Sequence, residues 1–147
     1  MTIKPTKIDR AGKHIPAPQP PDETEIQFSF KLLDLDSNRK FGLHHCHSSY
    51  WKKFLLRLKD VNAMKVREFR GTPSSQLRNH KISFKDTSEP AGFKQLPEQL
   101  RSAEAWQFEL TQHVHGRVHG ILINQTFFVV WLDPCHRLYD KTNTKCH

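Results

Sequence analysis

The densest set of chemically useful side chains lies near the C-terminal end, in the run Asp133-Pro134-Cys135-His136-Arg137-Leu138-Tyr139-Asp140. Histidine exchanges a proton near neutral pH, arginine grips a phosphate through paired N–H donors, and tyrosine stacks on a base or relays a proton. Cleavage of RNA at its own 2′-hydroxyl needs that set. The hydroxyl must lose a proton, the pentavalent phosphorus must be stabilised, and the departing 5′-oxygen must gain a proton. Those steps call for no metal, and no cofactor is expected. The blander alternative is that His136 and Arg137 are solvated residues following a strand.

A second set sits a strand earlier. If Arg117–Ile123 is extended, Arg117, His119 and Ile121 share one face and Val118, Gly120 and Leu122 the other. Arg117 and His119 then face one ligand, although a hydrogen-bonded structural role suits His119 at least as well. Gly116 and Gly120 allow a close backbone approach or mark a bulge. Ten histidines also raise zinc, with His44, His45, Cys46 and His47 consecutive and His113, His115, Cys135-His136 and Cys146-His147 as further candidates. The ligand types suit zinc, but no Cys-x-x-Cys or His-x-x-x-His pair occurs, so no metal site is assigned and the cluster reads as a polar loop. Cys135 beside His136 lacks a third orienting group and reads as a free thiol, not a nucleophile.

The elements that must position these groups can be read from the patterning. The 147 residues favour a single core, and the hydrophobic fraction of 36% with ten Phe and three Trp is enough to build it. In residues 1–25, Lys4, Lys7, Arg10 and Lys13 balance Asp9, Asp22, Glu23 and Glu25, so the net charge of +8 lies in residues 26–147. There it attracts nucleic acid, an acidic protein or anionic lipid. No apolar run approaches the about 20 residues that span a bilayer, and no apolar leader is seen, so a cytoplasmic protein without a membrane partner is expected. Three irregularly spaced cysteines read as reduced thiols.

Residues 1–25, with Pro5, Pro16, Pro18, Pro20 and Pro21, are expected to form a disordered arm. Ile26, Phe28 and Phe30 alternate with polar residues and predict a strand. Trp51, Phe54, Leu55, Leu58 and Val61 predict a helix from Ser49, and Asn62 is placed to cap a second helix running to about Phe69, giving a helical hairpin. A short strand is expected at Ile82–Phe84. Trp106–Leu110, Arg117–Ile123 and Thr126–Leu132 follow as strands, the last two joined by a turn at Asn124-Gln125. In the final strand Phe127, Val129 and Trp131 are expected on one face and Phe128, Val130 and Leu132 on the other, ending at Pro134. The prediction is an α+β domain over 26–140, a mainly antiparallel sheet with an N-terminal strand and both helices on one face, followed by a polar tail at 141–147.

This order resembles the RelE/ParE toxin superfamily. The residues that carry the likeness are the helices around Trp51–Leu58 and Met64–Phe69, Arg117 within His115-Gly116-Arg117-Val118, the strand Phe127–Leu132, and His136-Arg137-Leu138-Tyr139. The resemblance implies a ribosome-dependent mRNA endonuclease toxin, with Arg117 and Arg137 as phosphate ligands and His136 or Tyr139 in proton transfer or stacking. It gives Lys81 and Lys85 an RNA-binding role and lets Lys52, Lys53 and Arg57 meet ribosomal RNA or a short acidic antitoxin. The implied partners are mRNA, the ribosome and that antitoxin. The ParE branch implies a different outcome on the same fold, a non-enzymatic inhibitor of gyrase or of another partner. A zinc-binding nucleic-acid-binding protein is a third possibility.

Overall fold

The computed structural model describes residues 21–71, 77–111 and 116–139. The proline-rich arm up to residue 20, His113 and His115, and the tail from residue 140 with Cys146 lie outside them. Five strands, β1 (Gln27–Ser29), β2 (His80–Lys81), β3 (Glu104–Glu109), β4 (Arg117–Ile123) and β5 (Thr126–Asp133), form one sheet in the order β1-β5-β4-β3-β2. β1 runs parallel to β5, while all other neighbours are antiparallel. The expected α+β class holds, but the sheet is mixed. A strand that leaves the sheet through helices re-enters beside a distant partner, and nothing then forces it to be antiparallel.

Helices α1 (Ser48–Asn62) and α2 (Val66–Arg70) cover one face of the sheet. Phe54, Leu58, Val61, Val66 and Phe69 pack there against Trp106, Phe108, Val118, Leu122, Phe127, Val129 and Leu132. The helical spacing thus marks the buried stripe, with Tyr50 added to it, whereas Leu55 faces solvent. Asn62 is not a cap for α2. It ends α1, and its Nδ2 donates to the Ile26 carbonyl at 2.6 Å, tying the helix to β1. α2 is a single short turn capped at Lys65 and followed by Gly71.

Residues 21–25, assigned to the arm by composition, are docked. The Val66 amide donates to the Thr24 carbonyl, and Glu23 pairs with Arg67 at 2.9 Å and Lys65 at 3.5 Å. Charge complementarity between this segment and α2 does what its low apolar content cannot.

The opposite face is covered by chain segments instead of the hairpin. Phe41, Phe93, Leu96 and Leu138 pack there on Ile121, Val130 and Trp131, joined by Leu100 of α3 (Glu98–Arg101). Trp131 stacks on Phe41 with centroids 4.5 Å apart, and its Nε1 donates to Asp34 at 2.9 Å. Trp131 was expected beside Phe127 and Val129, and Leu132 on the opposite side. A bulge exchanges them, because His119 pairs with Trp131 while Gly120 pairs with Val129, leaving Val130 as the extra residue. Gly120 permits this, since a side chain there would collide with the Phe128 carbonyl. The expected strand at Ile82–Phe84 is also displaced. Pairing ends at Lys81 apart from the Ile82 amide on Ala105, and Phe84–Asp86 is a 3-10 turn. The Asn124 turn forms as predicted, with φ of 54°.

Candidate functional site

Two rows of polar residues cross the sheet on its loop-covered face. The outer row is Glu109, Arg117 and Asp133, paired strand to strand. The next is His80, Gln107, His119 and Trp131. Period-2 geometry alone puts these rows one above the other, and the segment 134–139 folds back over their ends.

Glu109 is buried, and its Oε1 accepts from Arg117 Nη2 at 2.7 Å and faces Arg78 Nε at 3.7 Å. Burial pulls the Arg117 guanidinium below its ordinary value, with Glu109 and Asp133 opposing that shift. Its other terminal nitrogen, Nη1, lies 3.4 Å from His136 Nε2. An arginine only donates, so that imidazole nitrogen is an acceptor and His136 is neutral in this arrangement. The Arg117 carbonyl is fixed separately by Tyr50, whose hydroxyl donates to it at 3.0 Å.

Asp133 shapes the loop that carries His136. Its two carboxylate oxygens accept the backbone N–H groups of Arg137 at 2.8 Å and Leu138 at 3.0 Å, and His136, just before them, takes a left-handed φ of 57°. Ser88 closes the far side, its amide donating to the Leu138 carbonyl and its hydroxyl to that of Arg137. Burial raises the Asp133 carboxyl to about 6, against the opposing pull of those N–H groups and of Arg117 and Arg137. His119 is driven down to about 3, first by burial and then by Arg117 and His80. It is therefore neutral, and its 3.6 Å approach to Asp133 is not an ion pair.

One carbonyl sets the polarity of the inner row. Lys81 O can only accept, so His80 Nδ1, 2.8 Å away, carries the proton. In the neutral ring Nε2 then accepts from Gln107 Nε2 at 3.2 Å, which turns Gln107 Oε1 toward His119 Nε2 at 3.0 Å as the acceptor of its proton. His119 Nδ1 is left buried without a hydrogen bond.

Tyr139 completes the corner. It is 42% exposed, its ring meets that of His80 edge-on at 5.8 Å, and burial raises its hydroxyl above the usual value while Arg117 pulls it down and Asp86 pushes it up. Arg117 thus lies beside His136 and acts electrostatically on Tyr139. Arg137 contributes its backbone to the Asp133 turn, and its Nε is buried without a hydrogen bond.

The expected RNA-binding lysines are more scattered. Lys81 neighbours His80 in β2 and so points to the opposite face, where Nζ pairs with Glu104 at 3.0 Å. Lys85 is exposed on the 3-10 turn beside Asp86. On α1, Lys52 is exposed and Lys53 half-buried, whereas Arg57 donates from Nε to the Leu110 carbonyl at 3.0 Å and pairs with Asp60. His44 and His45 lie in a 3-10 turn with their tilted rings 3.9 Å apart at the centroids, and His47 occupies the N-cap position of α1. Among the described residues no group of three or more His, Cys, Asp or Glu is placed to hold a metal, and no helix is long and apolar enough to cross a membrane. Cys135 is disulfide-bonded, not the reduced thiol expected, and Cys46 is free.

His80, Arg78, Gln107 and Glu109 are the site's additions. The available signal was in β3, where Gln107 and Glu109 alternate with Trp106, Phe108 and Leu110, and both polar residues are buried. Together these features define an α+β protein with an arginine-, histidine- and tyrosine-bearing corner at one end of a mixed sheet. The chain matches no family model, no curated protein and no solved structure.

Proposed function

We propose that the protein is an endoribonuclease that cleaves single-stranded mRNA, acting on the ribosome as a toxin held in check by an acidic partner. The observation that carries the reading is the position of Arg117, anchored by Glu109 through Nη2 and 3.4 Å from His136 Nε2 through Nη1, in the corner it shares with Tyr139. Arg117 takes a non-bridging phosphate oxygen. As Nη1 turns from His136 to that oxygen, His136 Nε2 is freed to accept the proton of the 2′-hydroxyl, whose oxygen attacks the adjacent phosphorus. The P–O5′ bond breaks, and Tyr139, kept protonated by burial, gives its proton to the 5′-oxygen. The products are a 2′,3′-cyclic phosphate and a 5′-hydroxyl. His136 and Tyr139 then exchange protons with solvent to restore the starting state. Ribosome dependence, the acidic partner and roles for Lys52, Lys53, Lys85 and Arg57 rest on the RelE-like resemblance.

The test is purified protein with programmed ribosomes and with free mRNA, cleavage being mapped by primer extension and the new ends identified chemically. A 2′,3′-cyclic end that disappears in His136→Ala supports the reading, and intact RNA in both settings removes it. A second reading, a non-enzymatic inhibitor of gyrase or another partner, draws on exposed Leu55 and Leu56 of α1 and on Phe30. Growth arrest with intact mRNA favours it.

A further inference from the structure

His80, without a role in the residue pattern, lies in the corner with Tyr139. Both of its ring nitrogens are committed within the protein, Nδ1 to the Lys81 carbonyl at 2.8 Å and Nε2 to the Gln107 amide at 3.2 Å. A histidine held this way has neither a free lone pair nor a free N–H to offer a reacting group. What it presents is its ring. That ring is half-buried, stands edge-on to the half-exposed Tyr139 ring at 5.8 Å, and is held by a hydrogen-bond chain ending at the fully buried His119. Two flat side chains meeting at a steep angle, 63° between planes, form a corner with one platform and one wall. Arg117, paired with Glu109, and Asp86 both act on the Tyr139 hydroxyl, so the corner has a guanidinium beside it that is held in place by a carboxylate.

We propose that His80 and Tyr139 form a binding corner for one unpaired nucleobase of single-stranded RNA, next to the phosphate held by Arg117. Gln107 is the positioning residue that keeps the His80 ring in its place. This deepens the endoribonuclease reading and rests on it. Duplex RNA does not fit, because a base must leave its stack to enter a corner of this kind. The corner therefore selects for unstacked strands, and base preference at one nucleotide arises from stacking.

The test uses a 2′-O-methyl RNA hexamer, which lacks the attacking hydroxyl, and a series of the same hexamer with one abasic nucleotide at each position in turn. Wild-type protein is expected to bind the intact hexamer about tenfold more tightly than one member of the abasic series, the loss of a single stacked base. His80→Ala is expected to weaken binding of the intact hexamer about tenfold and to leave that abasic member unchanged. His80→Phe, which keeps a flat ring without nitrogens, is expected to restore most of the affinity. 15N-resolved NMR of the free protein should find the His80 proton on Nδ1. Wild-type protein that binds none of the hexamers overturns the corner, while the endoribonuclease reading stands or falls separately on cleavage with programmed ribosomes and free mRNA. Wild-type protein that binds them, with His80→Ala keeping both its affinity and its abasic discrimination, overturns the corner alone. So does a His80→Phe variant as weak as His80→Ala, or a His80 proton on Nε2.

Discussion

Glu109 and Arg117 face each other across β3 and β4, and their 2.7 Å contact orients a guanidinium that would otherwise sweep the end of the sheet. Glu109 is almost fully buried and Arg117 is 17% exposed at its side chain, so each depends on the other for its charge to be tolerated. Replacing one partner strands the other. Glu109→Ala is expected to destabilise the fold by about 3 kcal/mol, toward the lower end for a broken buried pair because Arg117 retains some water. Urea unfolding measures it. Glu109→Gln keeps an acceptor for Arg117 but loses the charge, and is expected to be milder in stability while lowering RNA cleavage about tenfold through looser placement of Arg117.

Asp133 and His119 pull the pH dependence of stability in opposite directions. The His119 value is depressed in the fold to about 3, from 6.5, so its contribution is full above 6.5 and is lost as pH falls toward 3. Asp133 is raised to about 6, from 3.8, so its contribution is full below 3.8 and is lost as pH rises through 6. Between pH 6.5 and 4 the two offset. Removing one exposes the other. Compared with wild type, Asp133→Asn is expected to lose stability more steeply on acidification across that window, and His119→Asn less steeply. Thermal melts at pH 4, 5, 6 and 7 give the slopes, and parallel slopes in all three proteins would contradict the assignment.

The elements were legible where one periodicity dominated. Phe54, Leu58 and Val61 repeat at helical spacing and are buried as expected, and Asn124 turns the β4–β5 hairpin. The bulge opposite Gly120 was not, because alternation cannot reveal an extra residue that one strand carries and its neighbour lacks, and Trp131 changes face as a result. At the site, Arg117, His136 and Tyr139 could be read from residue type. Gln107 and Glu109 could not, since a polar residue in an alternating strand looks the same whether it faces water or a buried partner. His80 depended on a two-residue strand whose parity decides between it and Lys81. No local pattern carries that parity.

If Tyr139 donates the proton to the leaving oxygen, Tyr139→Phe keeps the ring and removes the donor. Cleavage is expected to fall by about a hundredfold, the lower range for a lost general acid, while binding of the 2′-O-methyl hexamer changes little. If His136, Arg117 and Tyr139 supply the proton transfers and the charge stabilisation, wild-type cleavage is expected to persist in EDTA. Single-turnover rates with and without the chelator provide the check. A rate restored by added metal after chelation would instead assign the chemistry elsewhere.

The bulge that moves Trp131 offers the last test, one that separates fold from site. A side chain at Gly120 would meet the Phe128 carbonyl and the Phe127 ring, both within the sheet. Backbone cannot yield as a flexible side chain can. Gly120→Ala must therefore push β4 from β5, and a cost of about 2 kcal/mol is expected, in the range for over-packed cores. The same movement displaces His119, the next residue in β4, and through Gln107 the ring of His80. Arg117, three residues away and held by Glu109 and the Tyr50 hydroxyl, should keep its place. The variant is expected to be less stable in urea and to lose the Nδ1–H signature of His80, while the Arg117 side-chain resonances remain near their wild-type positions. Loss of both signatures together would mean that the two polar rows move as one unit.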